Sequence, residues 1–303
     1  TTEIYTNTES SAASDVYKRQ VMGRLEGKRV VITGSSRSLG RQFALACGEQ
    51  GASLVVNGTD ATALEWVERE LAQRGVPVAA VLGSVADSAV CAQLVATCVE
   101  RFGGIDVMVN NAGIVRDRTL LKMTDEEFDE VLAVDLRGPF LCTREAARVM
   151  KAQGGGHIIQ ITSASGLVGN FGQTNYAAAK AGMMGIMYTA VKELERHNVR
   201  CNAMWPIART DMTQSLIDRS GKSAAEMGFG EPEEVATGLV WLASDAAAAF
   251  NGQCLTCSGR KTALWRSPVE EHILQGEQPY TLEDLDAHFA GVEPLPVYRT
   301  RDG

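Results

Sequence analysis

The sequence predicts an α/β fold in which helices cover both faces of one parallel β-sheet, a doubly wound arrangement of seven strands. Short apolar runs alternate along the chain with longer stretches of helical periodicity, as in successive βαβ units. The apolar runs are mostly continuous rather than alternating, which is typical of strands buried on both faces. Because crossovers between parallel strands are right-handed, these units are expected to build one open sheet.

Seven apolar runs give the predicted strands. In chain order they span residues 29–34, 52–57, 76–82, 105–111, 157–162, 199–205 and 253–257. Several are rich in Val and Ile, which are favoured on a pleated, buried surface.

The stretches between these runs carry helix signals. The predicted helices span 39–50, 60–74, 87–102, 124–151 and 173–197, and a last one begins at 232. Asp87 is expected to cap its helix, and Thr124 with Glu127 forms a capping box. An interruption is expected near Gly138, and Pro232 suits the first turn of the last helix.

Composition divides the chain into one domain and two flanking segments. Residues 1–22 are polar and resemble translated adapter sequence, so we expect a non-native leader or, alternatively, a disordered arm. Residues 23–260 hold the α/β pattern, and 261–303 form a C-terminal extension. Within the domain, 207–229 mixes apolar and polar side chains. This segment is predicted to be a substrate lid or a surface helix packed on the core.

Charge and cysteine content exclude several function classes. The net charge of −8 argues against a nucleic-acid surface, and no apolar run is suited to crossing a membrane. An odd number of cysteines, seven, is typical of reduced thiols and predicts a cytoplasmic location. Cys254 and Cys257 form a CxxC pair without a second ligand pair, so we expect core residues and no metal.

Two turns are candidate ligand contacts. TGSSRSLG, residues 33–40, follows the first strand and opens a helix, where glycines permit close approach and free N–H groups suit a phosphate. NNAG, residues 110–113, follows the fourth strand at the edge where open α/β sheets bind ligands. Ordinary turns remain the alternative for both, because Gly, Asn and Ser are common in turns.

A tyrosine and a lysine form the third motif. Tyr176 and Lys180 are four residues apart in a predicted helix, so they share one face, and Ser163 lies just past the fifth strand. Taken alone, such a pair is more often a packed tyrosine beside a solvated lysine. That alternative must also explain Ser163 and the two turns, which occur in the order that one site requires.

Together these motifs resemble the short-chain dehydrogenase/reductase superfamily over about residues 24–260. The resemblance implies a Rossmann-like fold and an oxidoreductase that transfers a hydride between NAD(P) and a carbonyl or secondary alcohol. Residues 163–182 and 202–213 are most similar to bacterial 3-oxoacyl reductases and to the (3R)-hydroxyacyl-CoA dehydrogenase module of multifunctional enzymes, which implies an acyl thioester substrate. The implied cofactor contacts are Gly34, Ser36, Arg37, Ser38, Leu39, Gly40, Asn57, Gly58, Thr59, Asn111, Ala112, Gly113, Tyr176, Lys180, Pro206 and Thr210.

The resemblance also assigns chemical roles. Carbonyl reduction leaves an alkoxide that needs a proton, which Tyr176 would donate in reduction and accept in oxidation. Lys180 would lower the pKa of this phenol from about 10 and hold the ribose. Ser163 would stabilise the developing negative oxygen. A catalytically inactive cofactor sensor or scaffold protein with the same fold is the alternative.

Three residues depart from the family pattern. Ser38 replaces the middle glycine of the turn, where a positive φ suits serine less well. Asp135 stands where many members have a catalytic Asn, which puts its part in a proton relay in doubt. Ile207 replaces a glycine after Pro206.

The residues after the second strand predict a preference for NADP(H) over NAD(H). Gly58 occupies the position where NAD enzymes commonly carry an acid, Thr59 offers a donor, and Arg37 suits a phosphate. The acidic residue Asp60, two residues after Gly58, argues against this preference. A homotetramer or homodimer is also expected, because residues 177–190 are rich in Ala, Gly and Met that suit close helix packing.

Overall fold

The computed structural model describes residues 23–258, 260–265, 268, 273, 281–290 and 292. The predicted leader or arm, residues 1–22, lies outside the described residues. The described chain forms two units divided between Leu264 and Trp265, and each is considered separately.

The first unit contains one eight-stranded sheet. Its strands are β1 (Arg29–Ile32), β2 (Ser53–Gly58), β3 (Val78–Leu82), β4 (Val107–Asn110), β5 (Gly156–Ile161), β6 (Val199–Pro206), β7 (Cys254–Cys257) and β8 (Thr262–Leu264). The spatial order is β3-β2-β1-β4-β5-β6-β7-β8, and every pair except β7 with β8 is parallel. The predicted doubly wound parallel sheet is therefore confirmed.

The strand count differs from the prediction by one. β8 follows the seventh strand directly and pairs with it in the antiparallel direction, beyond residue 260 where the extension was expected to begin. All three of its residues are exposed. A strand of three residues is too short to show a hydrophobic pattern, so the sequence did not reveal it.

Most helices are close to their predicted positions, but a short helix over Ala164–Val168 was not predicted. In the first unit they are α1 (Ser38–Glu49), α2 (Ala61–Gln73), α3 (Ser88–Phe102), α4 (Asp125–Leu132), α5 (Gly138–Gln153), α6 (Ala164–Val168), α7 (Thr174–Leu194), α8 (Asp211–Ser220) and α9 (Pro232–Ala243). Asp87 caps α3 and the Thr124–Glu127 capping box opens α4, as predicted. The interruption expected near Gly138 is a π-helical turn over Ala133–Arg137.

Burial explains why the central strands are apolar throughout. Val30, Val31 and Ile32 of β1 are fully buried, and so are Leu54, Val55 and Val56 of β2. Both faces are covered by helices, so alternate residues have no solvent face. Cys254 and Cys257 of β7 are likewise buried as free thiols.

The topology creates a cleft at the carboxyl edge of the sheet. The chain leaves β1 towards β2 and β3 on one side and returns through β4 to β7 on the other. Loops after β1 and β4 therefore diverge, which is where open α/β sheets bind ligands.

The second unit contains one described helix, α10 (Leu282–Phe289). A capping box between Thr281 and Asp284 opens it. Among the described residues, no helix has both the length and the apolar character needed to cross a membrane.

Candidate active site

A cavity of about 540 Å³ opens at the carboxyl edge of the sheet. Every predicted site residue except Asp135 lines it. These residues are Gly34, Ser36, Arg37, Ser38, Leu39, Gly40, Asn57, Gly58, Thr59, Asn111, Ala112, Gly113, Ser163, Tyr176, Lys180, Pro206 and Thr210. The fold thus brings together motifs separated by more than 170 residues along the chain.

The glycine-rich turn packs too tightly to admit side chains at two positions. Gly34 has φ +62°, and a Cβ there would lie 2.7 Å from the Cα of Ala112. A Cβ on Gly40 would collide with the carbonyl oxygen of Gly34. Arg37 precedes α1 without a side-chain cap among the described residues, so first-turn N–H groups are available to an anion. The turn therefore fits a dinucleotide phosphate.

Ser38 adopts the conformation that the family glycine would supply. Its φ of +49° lies in the left-handed region. Among the described residues, Ser38 and Asn198 are the two that adopt a positive φ without being glycine. The turn thus keeps its path at a conformational cost, as the sequence predicted.

Two asparagines hold the turn in place. Asn57 Nδ2 donates to the carbonyl oxygens of Val81 and Gly83 at 2.9 and 3.0 Å, and its Oδ1 accepts from Gly34 N–H at 3.2 Å. Asn111 Nδ2 donates to the carbonyl oxygen of Thr33 at 2.9 Å. The side chains of both predicted contact residues are therefore engaged with backbone and act by shaping the cavity.

The end of β2 carries no free carboxylate at the predicted discriminating position. Gly58 is buried, whereas Thr59 and Arg37 are exposed on the cavity lining. Asp60, the counter-argument from the sequence, caps α2 by accepting from Ala63 N–H at 3.0 Å. Its carboxylate is thus directed to helix capping.

The tyrosine, lysine and serine meet on one side of the cavity. Tyr176 and Lys180 lie in the first turns of α7, and Ser163 precedes α6, where its Oγ accepts from Ser165 N–H at 3.2 Å. Lys180 Nζ lies 5.3 Å from the centre of the Tyr176 ring and donates to the carbonyl oxygen of Ile161 at 3.1 Å. This is the constellation that the sequence predicted.

The surroundings of Tyr176 raise the pKa of its phenol, whereas the sequence predicted that Lys180 would lower it. Burial raises the pKa of the Tyr176 phenol above its ordinary value of 10, although Lys180 and a hydrogen bond with Ser163 lower it. Asp135 and Asp117 raise it further. Lys180 therefore acts in the predicted direction, but burial outweighs it in the free protein.

Asp135 lies behind the cavity in the π-helical turn and is fully buried. Its Oδ2 is 3.2 Å from Lys180 Nζ, and its Oδ1 accepts from Ile114 N–H at 2.8 Å. Burial alone would lower the pKa of Lys180, but Asp135 and Tyr176 raise it above its ordinary value. Lys180 is thus a buried ammonium with a carboxylate partner, which the sequence did not predict.

A polar chain behind Ser163 was also missed. Ser165 Oγ donates to Gln173 Oε1 at 2.7 Å, and Gln173 Nε2 donates to Asp117 Oδ1 at 3.1 Å. Ser165 Oγ lies 3.4 Å from Ser163 Oγ. Because the carboxylate accepts only, it fixes the Gln173 amide and, through it, the Ser165 hydroxyl. The available signal was Gln173 itself, three residues before Tyr176.

The segment predicted as a lid contributes part of the cavity wall. Ala208, Thr210 and Met212 line the cavity, and Met212 is 48% exposed. Ile217 instead is 6% exposed, so α8 packs one side on the protein. The packed surface helix therefore occurs within the segment, and the lid stays a prediction.

A family model described as short chain dehydrogenase matches residues 28–221. The chain belongs to the short-chain dehydrogenase family. It is therefore an oxidoreductase that uses a nicotinamide cofactor, and the described cavity fits such a cofactor through its glycine cradle and open helix N-terminus.

Several family members are similar over most of the chain. A 3-oxoacyl-[acyl-carrier-protein] reductase from Synechocystis is 40% identical over 78% of this chain and 98% of its own. The hydroxyacyl-CoA dehydrogenase ChsB1 of Mycobacterium tuberculosis is 37% identical over 92% of this chain and 93% of its own. Mouse peroxisomal multifunctional enzyme type 2 is 36% identical over 86% of this chain and 36% of its own. These relatives confirm the predicted resemblance.

A crystal structure supports the same placement. A short chain dehydrogenase from Mycobacterium avium superimposes with a TM-score of 0.79 at 34% identity. The match covers 92% of this chain and all of the other. This chain therefore shares its fold with a solved short chain dehydrogenase.

Proposed function

We propose that this short-chain dehydrogenase reduces 3-oxoacyl thioesters to 3-hydroxyacyl thioesters, with NADP(H) preferred over NAD(H). The observation that carries the proposal is the meeting of Ser163, Tyr176 and Lys180 on one wall of a cavity whose other wall is the glycine-rich turn. Relatives named for 3-oxoacyl and hydroxyacyl-CoA substrates support the substrate class.

The roles proposed for the side chains follow from their chemistry. When bound, the cofactor supplies the hydride, and the protein supplies position and protons. Ser163 donates a hydrogen bond to the substrate oxygen and stabilises its developing charge. Tyr176 gives that oxygen its proton in reduction and takes one in oxidation. Lys180 holds the nicotinamide ribose and favours the phenolate as the proton leaves.

The cofactor cradle is proposed to consist of three parts. The turn from Gly34 to Gly40 and the N-terminus of α1 receive the pyrophosphate, as helix N-termini favour anions. Ala112 and Gly113 permit close approach beside Lys180, and Pro206 with Thr210 borders the nicotinamide end. Asn57 and Asn111 keep the cradle in shape through their backbone hydrogen bonds.

The NADP(H) preference rests on charge at the end of β2. No carboxylate occupies position 58, which is a glycine, and Asp60 is engaged in capping α2. Arg37 is exposed on the cavity lining, and within the described part of the chain its side chain makes no hydrogen bond. A guanidinium beside the 2′ position would bind a phosphate with charge-assisted hydrogen bonds.

Two further proposals concern the molecule's surroundings. A homodimer or homotetramer through α7 and α5 is supported by the exposed small residues Ala178, Ala181 and Gly185 and by Phe140, which is 47% exposed. A cytoplasmic location is supported by seven cysteines that are all free. The residues of 207–229 that line the cavity are proposed to cover an acyl chain.

The substrate assignment is tested with a panel. A series of 3-oxoacyl thioesters of increasing chain length and a matched series of simple ketones are assayed with NADPH and NADH. We expect the thioesters to give the higher kcat/KM at every matched length. Equal values for the simple ketones would remove the thioester assignment while leaving the oxidoreductase intact.

A further inference from the structure

We propose that Asp135 is a positioning residue that offsets the charge of Lys180 and so widens the pH range over which Tyr176 remains a proton donor. The inference rests on the acid-base role proposed for Tyr176. It assigns to Asp135 an electrostatic part, in place of the relay part that the family pattern left in doubt.

The Asp135 carboxylate lies directly beside the Lys180 ammonium. Asp135 Oδ2 is 3.2 Å from Lys180 Nζ, and the two side chains are 0% and 3% exposed. A pair this deeply buried is poorly screened, so each charge strongly affects its neighbours.

The carboxylate is held where it lies. Ile114 N–H donates to Asp135 Oδ1 at 2.8 Å, which leaves Oδ2 on the Lys180 side. Gly113 packs against both side chains, since a Cβ there would lie 2.6 Å from Asp135 Oδ2 and 3.4 Å from Lys180 Nζ. The π-helical turn supplies the backbone from which Asp135 projects. Asp135 is thus held beside Lys180 by a backbone hydrogen bond and by close packing.

The charges around the phenol are few. Tyr176 is influenced by Lys180 on its own helix, by Asp135 from the π-helical turn and by Asp117 from the loop after β4. Arg116 also lines the cavity but is paired with Glu130 at 2.8 Å. Lys180 is influenced by Asp135 and Tyr176.

This charge balance determines when the phenol ionises. A lone ammonium favours a phenolate, whereas an ammonium paired with a carboxylate does so much less. Both burial and Asp135 raise the pKa of the Tyr176 phenol, and burial is the larger cause. Replacing Asp135 by its neutral isostere removes the second cause and leaves burial unchanged.

The test compares Asp135→Asn with the parent protein. Asn keeps the volume and an oxygen that accepts from Ile114 N–H, so the fold is expected to persist. Ionisation of Tyr176 is followed in the cofactor-free protein by ultraviolet difference absorbance, with the Tyr176→Phe form subtracted. We expect the titration to move to lower pH by about one unit or more, the shift that one nearby charge produces.

A second readout uses the working enzyme. The high-pH limb of kcat/KM for carbonyl reduction is expected to move to lower pH by a similar amount in Asp135→Asn. Asp117→Asn is the matched control, because it neutralises an exposed carboxylate and is expected to move both curves less.

Two results overturn the inference: an unmoved phenol titration in folded Asp135→Asn, or an equal shift in Asp117→Asn. If Asp135→Asn unfolds, the double variant Asp135→Asn/Lys180→Met, which removes both charges of the buried pair, tests the same balance. The inference then predicts a small change in the Tyr176 titration, because a neutral pair is lost, and a large upward shift overturns it. The phenol titration needs no turnover, so failure of the proposed substrate or activity is recognised separately.

Discussion

Gly58 and Ser36 approach each other so closely at the end of β2 that a Cβ added to Gly58 would lie 2.6 Å from the Cβ of Ser36. The position at which an acidic residue would read the adenine ribose is therefore closed to any side chain while Ser36 is present. We therefore expect cofactor choice in this chain to depend on both residues together.

This coupling predicts how the cofactor preference can be reversed. The double variant Gly58→Asp/Ser36→Gly should favour NADH, because the introduced carboxylate would accept from the ribose hydroxyl and repel a 2′-phosphate. Gly58→Asp alone should lose stability, since Ser36 must be displaced. The ratio of kcat/KM for NADPH and NADH measures the outcome, and Gly58→Ala/Ser36→Gly is the uncharged control. A double variant that still prefers NADPH would show that another group reads the ribose.

Arg37 provides the second prediction. Arg37→Ala should reduce kcat/KM for NADPH by about 10- to 150-fold, the equivalent of one charge-assisted contact of roughly 1.5–3 kcal/mol. The value for NADH should change little, because NADH lacks the 2′-phosphate. Arg37→Lys keeps the charge and should lose less. Equal losses with both cofactors would contradict a contact with the phosphate.

The chain from Asp117 through Gln173 to Ser165 provides the third prediction. Gln173→Ala should lower kcat by about fivefold, the effect of one lost hydrogen bond of roughly 1 kcal/mol, because the Ser165 hydroxyl loses its acceptor. Gln173→Glu restores an acceptor but faces Asp117, so its activity should recover as Asp117→Asn is added. If adding Asp117→Asn does not restore the activity of Gln173→Glu, this hydrogen-bonded chain does not position Ser163.

His157 gives a prediction about stability rather than activity. Burial lowers the pKa of this imidazole well below 6.5, with Arg200 adding to the effect, and Asn202 Nδ2 lies 2.9 Å from its Nε2. A folded pKa below the unfolded one favours neutral histidine, so this stabilisation is present above pH 6.5 and is lost as the pH falls below it. The free energy of unfolding in urea, measured at several values between about pH 5 and 8, tests this pH dependence. His157→Gln should show a shallower decline over that interval, and an identical decline would contradict the assignment.

Much of the cavity was predictable because local signals carry it. The glycines of residues 33–40, the NNAG turn and the spacing of Tyr176 and Lys180 are readable from the chain alone. The parallel topology then places strand ends together without further information.

The remaining features depend on long-range packing. Asp135 and Lys180 are paired although they are 45 residues apart in the sequence. Gln173 donates to Asp117, which lies 56 residues before it. The net effect on the phenol could not be predicted because it depends on burial, which outweighs the lysine that the sequence placed nearby. β8 was missed because a strand of three exposed residues is too short to show a hydrophobic pattern.

The most direct test of the account is the turnover of Tyr176→Phe with NADPH and a 3-oxoacyl thioester, measured beside its affinity for NADPH by cofactor fluorescence. We expect kcat to fall by about 10²-fold or more, since the hydroxyl that gives and takes the proton is lost. The dissociation constant for NADPH should remain near that of the parent. Turnover within about tenfold of the parent (less than the range expected for a lost acid-base group) would contradict the assignment of Tyr176 as the acid-base residue.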